Sequence, residues 1–161
     1  MEIRQRVREV HTEDGWALVK VLRVPDQPGI AARIFGTIAE AGVSVDIILQ
    51  NASVNRMTDV SFTVRQEDVA RAAACVKDVT SSIGAAGVET RERLAKVQIV
   101  GTGILSDPTI VGHMFRALAD AQVNILAIAT SEIRISCLIA QEERGRAEKA
   151  LRAAFEATQA A

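Results

Sequence analysis

One carboxylate stands in a turn of two prolines and a glycine at Val24-Pro25-Asp26-Gln27-Pro28-Gly29-Ile30-Ala31-Ala32-Arg33-Ile34-Phe35. The stretch reads as a strand end, a tight turn and a helix start. Pro28 suits the first helical position, where its missing N–H costs nothing. The N–H groups of Gly29, Ile30 and Ala31 then have no partner inside the helix, and such a start favours an anion. A carboxylate beside free N–H groups can hold both ends of a free amino acid, whose ammonium and carboxylate are adjacent. An ordinary helix start capped by Asp26 would explain the same residues.

The stretch occurs twice. Pro28, Ile30, Phe35, Ala39, Ala41, Val43 and Ile48 are matched by Pro108, Ile110, Phe115, Ala119, Ala121, Val123 and Ile128, at a constant offset of 80 residues without a gap. Two copies mean two similar units; a solenoid needs three or more repeats.

The elements that position these residues follow from the apolar pattern. Residues 3–13 carry Ile3, Val7 and Val10 and read in part as an edge strand. Glu13-Asp14-Gly15 reads as a turn, residues 16–24 as a strand and residues 29–41 as a helix closed by Gly42. Residues 43–50 read as a strand, 51–56 as a hairpin loop, 58–64 as an alternating strand, 66–83 as a helix closed near Gly84, and 87–93 as a short, polar edge strand. The second copy repeats the order with a strand over 95–100, a loop over 101–107, a helix over 108–121, strands over 123–129 and 133–139, and a helix over 142–157. The first unit is βαββαβ. The second lacks its final strand, which residues 6–12 can supply. The expected fold is α+β, with the first unit (15–94) inserted within the second (95–161 plus 3–13).

Composition excludes several function classes. The chain has 161 residues, 48% hydrophobic and 24% charged, with a formal net charge of −1. That is a globular composition without the basic surface that nucleic acids or anionic membranes require. No apolar run approaches the ~20 residues of a membrane span, and the first residues have no apolar signal region. Cys75 and Cys137 sit inside apolar patterns and read as reduced, buried thiols of a cytoplasmic protein. His11 and His113 lack metal-ligand spacing. Gly101-Thr102-Gly103 lacks the third glycine of a dinucleotide loop. Ser131-Glu132 has no histidine nearby. No glycine-rich phosphate loop with a lysine occurs. No catalytic residues, metal site or cofactor are therefore expected. The βαββαβ plan is shared with RNA-recognition modules, but those need aromatic residues on central strands, and Phe35, Phe115 and Phe155 fall on helices.

Taken together, the residues resemble the paired ACT domains at the C-terminus of aspartate kinase, over residues 18–157. The stretches that carry the resemblance are 24–32, 45–51, 58–63, 96–103 and, most specific of all, Thr130-Ser131-Glu132-Ile133-Arg134-Ile135-Ser136. The resemblance implies a ferredoxin-like fold in each unit and a regulatory role. End-product amino acids, threonine or lysine or both, would bind and switch off the phosphotransferase that opens lysine, threonine and methionine biosynthesis. It implies a homodimer that associates with a catalytic α subunit, with effectors held where the first unit of one chain meets the second unit of the other. Catalysis would belong to a kinase domain outside this sequence.

Position by position, the resemblance assigns effector binding to Asp26, Gly29, Ile30, Ala31, Ser44, Val45, Asp46 and Gln50. It assigns the facing surface to Ile110, Val111, Asn124, Ile125 and Ser131, with Thr130 and Glu132 beside them. Gln50 and Asn124 carry amides that can donate and accept. The second unit departs from the family pattern: Thr109 replaces the usual glycine after Pro108, and Leu126 stands where an acid is usual. Both changes make its helix start a poorer cradle, so that unit would serve mainly as a wall. A regulatory subunit of another biosynthetic enzyme, such as acetolactate synthase, is the alternative.

Overall fold

Apolar side chains recur every fourth residue from Ile30, and they build helix α1, Ile30–Glu40, which buries Ile34 and Ile38. The computed structural model describes residues 6–155. In chain order its elements are β1 (Val7–Pro25), α1, β2 (Ile48–Gln50), β3 (Met57–Arg65), α2 (Val69–Ile83), β4 (Gly87–Gly101), α3 (Pro108–Asp120), β5 (Ala127–Ser131), β6 (Arg134–Ala140) and α4 (Arg144–Phe155).

The chain divides into two compact units. The first is Gly15–Arg93, and the second is Met1–Asp14 with Leu94–Ala161. The first unit has strand order β2-β3-β1-β4. Its core joins Val19, Val21, Val60, Phe62 and Val64 from the strands to Ile34 and Ile38 of α1 and Ala72 and Val76 of α2. Phe35 meets Phe62 edge-on at 5.5 Å. The second unit has strand order β1-β4-β6-β5. Its core joins Val97, Ile99, Ile135 and Cys137 to Ile110, Met114 and Leu118 of α3 and Leu151 and Phe155 of α4. Burial among these apolar groups pushes the Cys137 thiol up to about 12, which keeps it protonated and unreactive. The fold is α+β with two βαββαβ units, the first inserted within the second.

Several boundaries differ from the sequence reading. Glu13-Asp14-Gly15 is not a turn: β1 runs straight through it. Gly15 absorbs a left-handed φ of +83° there, and Arg93 takes +57° in the middle of β4. These two residues are the first and last of the inserted unit. β4 likewise joins the two strands expected at 87–93 and 95–100 into one. The strand expected over 43–50 shortens to Ile48–Gln50. Its first half is irregular because the Thr63 hydroxyl accepts the Ile47 N–H at 2.9 Å, in place of a regular ladder bond. In the second unit β5 begins at Ala127 rather than 123, and the last helix begins at Arg144 after a 3-10 turn, Gln141–Glu143. The elements expected at residues 3–5 and 156–157 lie outside the described residues.

Candidate effector site

β1 ends at Pro25 and α1 begins at Ile30, and a cleft of about 160 Å³ opens at the turn between them. Asp26, Gln27, Gly29, Ile30 and Ala31 line it from the turn, Gln50 from β2, and Thr58 and Val60 from β3. Two adjacent strands bring the last pair in: Thr58 lies opposite Val24 in the β1/β3 register. The turn is held by the Asp26 N–H, which donates to the Arg56 carbonyl at 2.9 Å, and the Gln27 N–H, which donates to Pro25 at 3.0 Å.

The start of α1 is not capped by any side chain. Its cap residue is Gly29, with φ +89°, a left-handed conformation that glycine adopts without the clash a Cβ would bring. Pro28 therefore precedes the cap instead of opening the helix. The Ile30 N–H reaches the Gln27 carbonyl at only 3.4 Å. Exposed Asp26 thus stands beside a helix start whose N–H groups carry partial positive charge and lack a carboxylate cap. The arrangement can hold an ammonium on Asp26 and a carboxylate on the helix start. Gln50 adds an amide to the same cleft.

Of the residues expected at the site, Asp26, Gly29, Ile30, Ala31 and Gln50 come together. Ser44, Val45 and Asp46 do not line the cleft. They lie in the irregular run before β2, where Val45 packs on the core and the Asp46 N–H donates to the Thr63 carbonyl at 3.1 Å. Gln27, Thr58 and Val60 are lining residues that sequence reasoning missed. Thr58 sits in one of the stretches that carried the resemblance, which was the available signal.

The second unit presents a different helix start. Pro108 opens α3, and Asp107 caps it, accepting the Thr109 N–H at 3.0 Å and the Thr109 hydroxyl as well. Ile110 is fully buried, and its N–H donates to the Asp107 carbonyl at 3.1 Å. Val111 and Ile125 pack against the core. The Asn124 N–H donates to Glu143 at 3.3 Å. Thr130, Ser131 and Glu132 are exposed around the β5–β6 turn.

A larger, more open hollow of about 500 Å³ lies by the loop after β2, lined by Arg23, Asn51, Val54 and Asp59 among others. Its carboxylate is already engaged. The Arg23 N–H and the Lys20 ammonium bond Asp59 and hold its carboxyl below the usual range. Among the described residues, no group of three His, Cys, Asp or Glu could hold a metal ion, and no helix is long and apolar enough to cross a membrane.

The ACT domain family model matches residues 23–79 and again 97–155. The chain belongs to the ACT domain family. It is of the paired kind found in aspartate kinases. The regulatory subunit of aspartate kinase from Thermus thermophilus, solved without ligand, superimposes with a TM-score of 0.87 at 37% identity, covering 93% of this chain and 99% of that one. A structure of aspartokinase alpha and beta subunits matches with a TM-score of 0.85 at 36% identity, covering 93% of this chain and 99% of that chain. The aspartokinase of Pseudomonas aeruginosa is 40% identical over 140 residues, or 87% of this chain and 34% of the relative. The chain thus spans about a third of the length of that relative, and it corresponds to the regulatory part of such enzymes.

Proposed function

We propose that this chain senses an end-product amino acid and restrains an aspartate kinase by feedback inhibition. The effector is threonine, alone or together with lysine. Its carboxylate rests on the N–H groups of Gly29, Ile30 and Ala31, and its ammonium on Asp26. The observation that carries this reading is the uncapped start of α1 with a carboxylate beside it in the same cleft. Gln50 supplies a polar group for the effector's side chain, and Thr58, whose hydroxyl donates to the Asn51 carbonyl at 2.7 Å, lines the same cleft.

The chain acts as a homodimer with a catalytic α subunit. Ile48 on β2 and Ile128 on β5 are 54% and 44% exposed, at repeat-equivalent positions on the outer strand of each unit. Large apolar groups on sheet edges favour pairing with another copy. The facing surface of a second copy, around Asn124, Ile125 and Ser131, then closes the cleft with the residues 44–46.

Calorimetric titration with a panel of amino acids tests the reading. Threonine or lysine is expected to bind. Asp26→Ala is expected to weaken binding by roughly tenfold to a hundredfold, the loss of one charge-assisted hydrogen bond of ~1.5–3 kcal/mol. An unchanged dissociation constant would overturn the pose.

A further inference from the structure

Arg23 takes a left-handed φ of +50° near the end of β1, and the offset of 80 pairs it with Gly103, which takes +64°. Glycine adopts that conformation freely, and arginine does so under strain. The local cause is a bulge. Val21 pairs with Val60 and Val24 with Thr58, so Leu22 and Arg23 share the single partner Asp59. A bulge re-aims the side chain it carries, and here Arg23 lines the hollow of about 500 Å³ by the loop after β2. Strained residues of this kind cluster at binding sites and switches.

We propose that this hollow is a second ligand site, for a small carboxylic acid that has an apolar body and no ammonium beside its carboxylate. Its volume suits a small molecule. Asp59 Oδ1 accepts the Arg23 N–H at 2.9 Å, and Oδ2 pairs with Lys20 at 3.2 Å, so the lining carboxylate is engaged and has little to offer an ammonium. The Arg23 guanidinium forms no hydrogen bond or ion pair with the described residues. Lys20 and Arg23 together outweigh Asp59, which leaves a surplus positive charge at the hollow. A guanidinium matches a carboxylate with two parallel hydrogen bonds, and the amides of Asn51 and Asn55 line the same space as further donors. Val54, 71% exposed, and Met57 give the hollow an apolar wall. The wall is preformed: Val54 and Met57 exchange backbone hydrogen bonds at 2.9 and 3.0 Å around a tip at Asn55 and Arg56. In the second unit Ser131 pairs directly with Arg134, and the hairpin there has no such loop. The site is independent of an effector at Asp26.

Nuclear magnetic resonance on the full chain tests this, with isovalerate, acetate and valine as probes. Isovalerate is expected to shift the side-chain amide signals of Asn51 and Asn55 and the Arg23 Nε–H signal in a saturable way. It is expected to bind more tightly than acetate, which lacks the apolar body, and than valine, which adds an ammonium to the same carbon skeleton. Arg23→Gly removes the charge and relieves the left-handed strain. It is expected to weaken isovalerate by about tenfold or more without lowering the urea midpoint. If that variant does not fold, Arg23→Gln is expected to show the same loss of binding. A wild type whose Asn51 and Asn55 amides do not shift overturns the proposal. So do shifts confined to Gly29, Ile30 and Ala31, which put the anion on the helix start. A folded Arg23 variant with unchanged affinity overturns it as well. Valine binding as tightly as isovalerate overturns the ligand class, and acetate doing so overturns the part given to Val54 and Met57.

Discussion

Thr12 and Glu148 are 136 residues apart in the chain, yet the Thr12 hydroxyl donates to Glu148 Oε2 at 3.1 Å. The same carboxylate receives Arg144 at 3.1 Å and Arg152 at 3.0 Å, and Arg144 also pairs with Asp14 at 2.9 Å. Strand β1 is tied to helix α4 by this group of charges, all within the second unit.

Glu148→Gln is expected to destabilise the second unit by about 1 kcal/mol, the sum of partly exposed pairs that are individually weak. Hydrogen exchange should quicken in β6 and leave β3 unchanged.

The same carboxylate sets an acid dependence. Arg152, then Thr12 and Arg144, lower the Glu148 carboxyl below its ordinary 4.5. A group whose pKa is depressed by folding stabilises the fold fully above its unfolded value and loses that contribution as pH falls through the folded value. The urea midpoint of the wild type should therefore decline below about pH 4.5, and the Glu148→Gln variant should decline less steeply.

Asp26→Ala and Asp107→Ala should part company in stability. No side chain caps α1, so losing Asp26 is expected to leave the urea midpoint unchanged within ~0.5 kcal/mol. Asp107 does cap α3, so its loss should lower the midpoint. Equal midpoints in the two variants would contradict the cap assignment.

Thr63→Val keeps the shape of a fully buried side chain but leaves the Ile47 N–H without its acceptor. A cost of about 1–3 kcal/mol is expected in chemical denaturation.

Gln122 follows α3 with φ +58°, where its repeat-equivalent Gly42 has +70°. A side chain is strained in that region and glycine is not. Gln122→Gly should raise stability by about 1 kcal/mol, measured as a higher urea midpoint.

The periodic segments were legible because their apolar side chains meet partners within the same helix or the neighbouring strand. Ile34, Ile38, Met114 and Leu118 all fall on the faces their spacing dictates. The junction at residues 13–15 was not legible. Glu13, Asp14 and Gly15 have turn chemistry locally, but Glu13 faces Lys96 at 3.8 Å and Asp14 pairs with Arg144, partners far along the chain. Residues 43–47 alternate like a strand, but the Ile47 N–H turns to the Thr63 hydroxyl instead of a backbone carbonyl. At the site, Asp26, Gly29, Ile30 and Ala31 were visible as a motif. Thr58 and Val60 reach the cleft through the register of β1 on β3, which no local pattern encodes.

The route of β1 and β4 through both units has a consequence for synthesis. The inserted unit is one unbroken run of chain, Gly15–Arg93, and it has everything it needs once α2 and the first part of β4 have left the ribosome. The other unit cannot close until Glu148 emerges to meet Thr12, made 136 residues earlier. During that interval the second half of β4 waits with an edge open to β6, while the inserted unit is already complete.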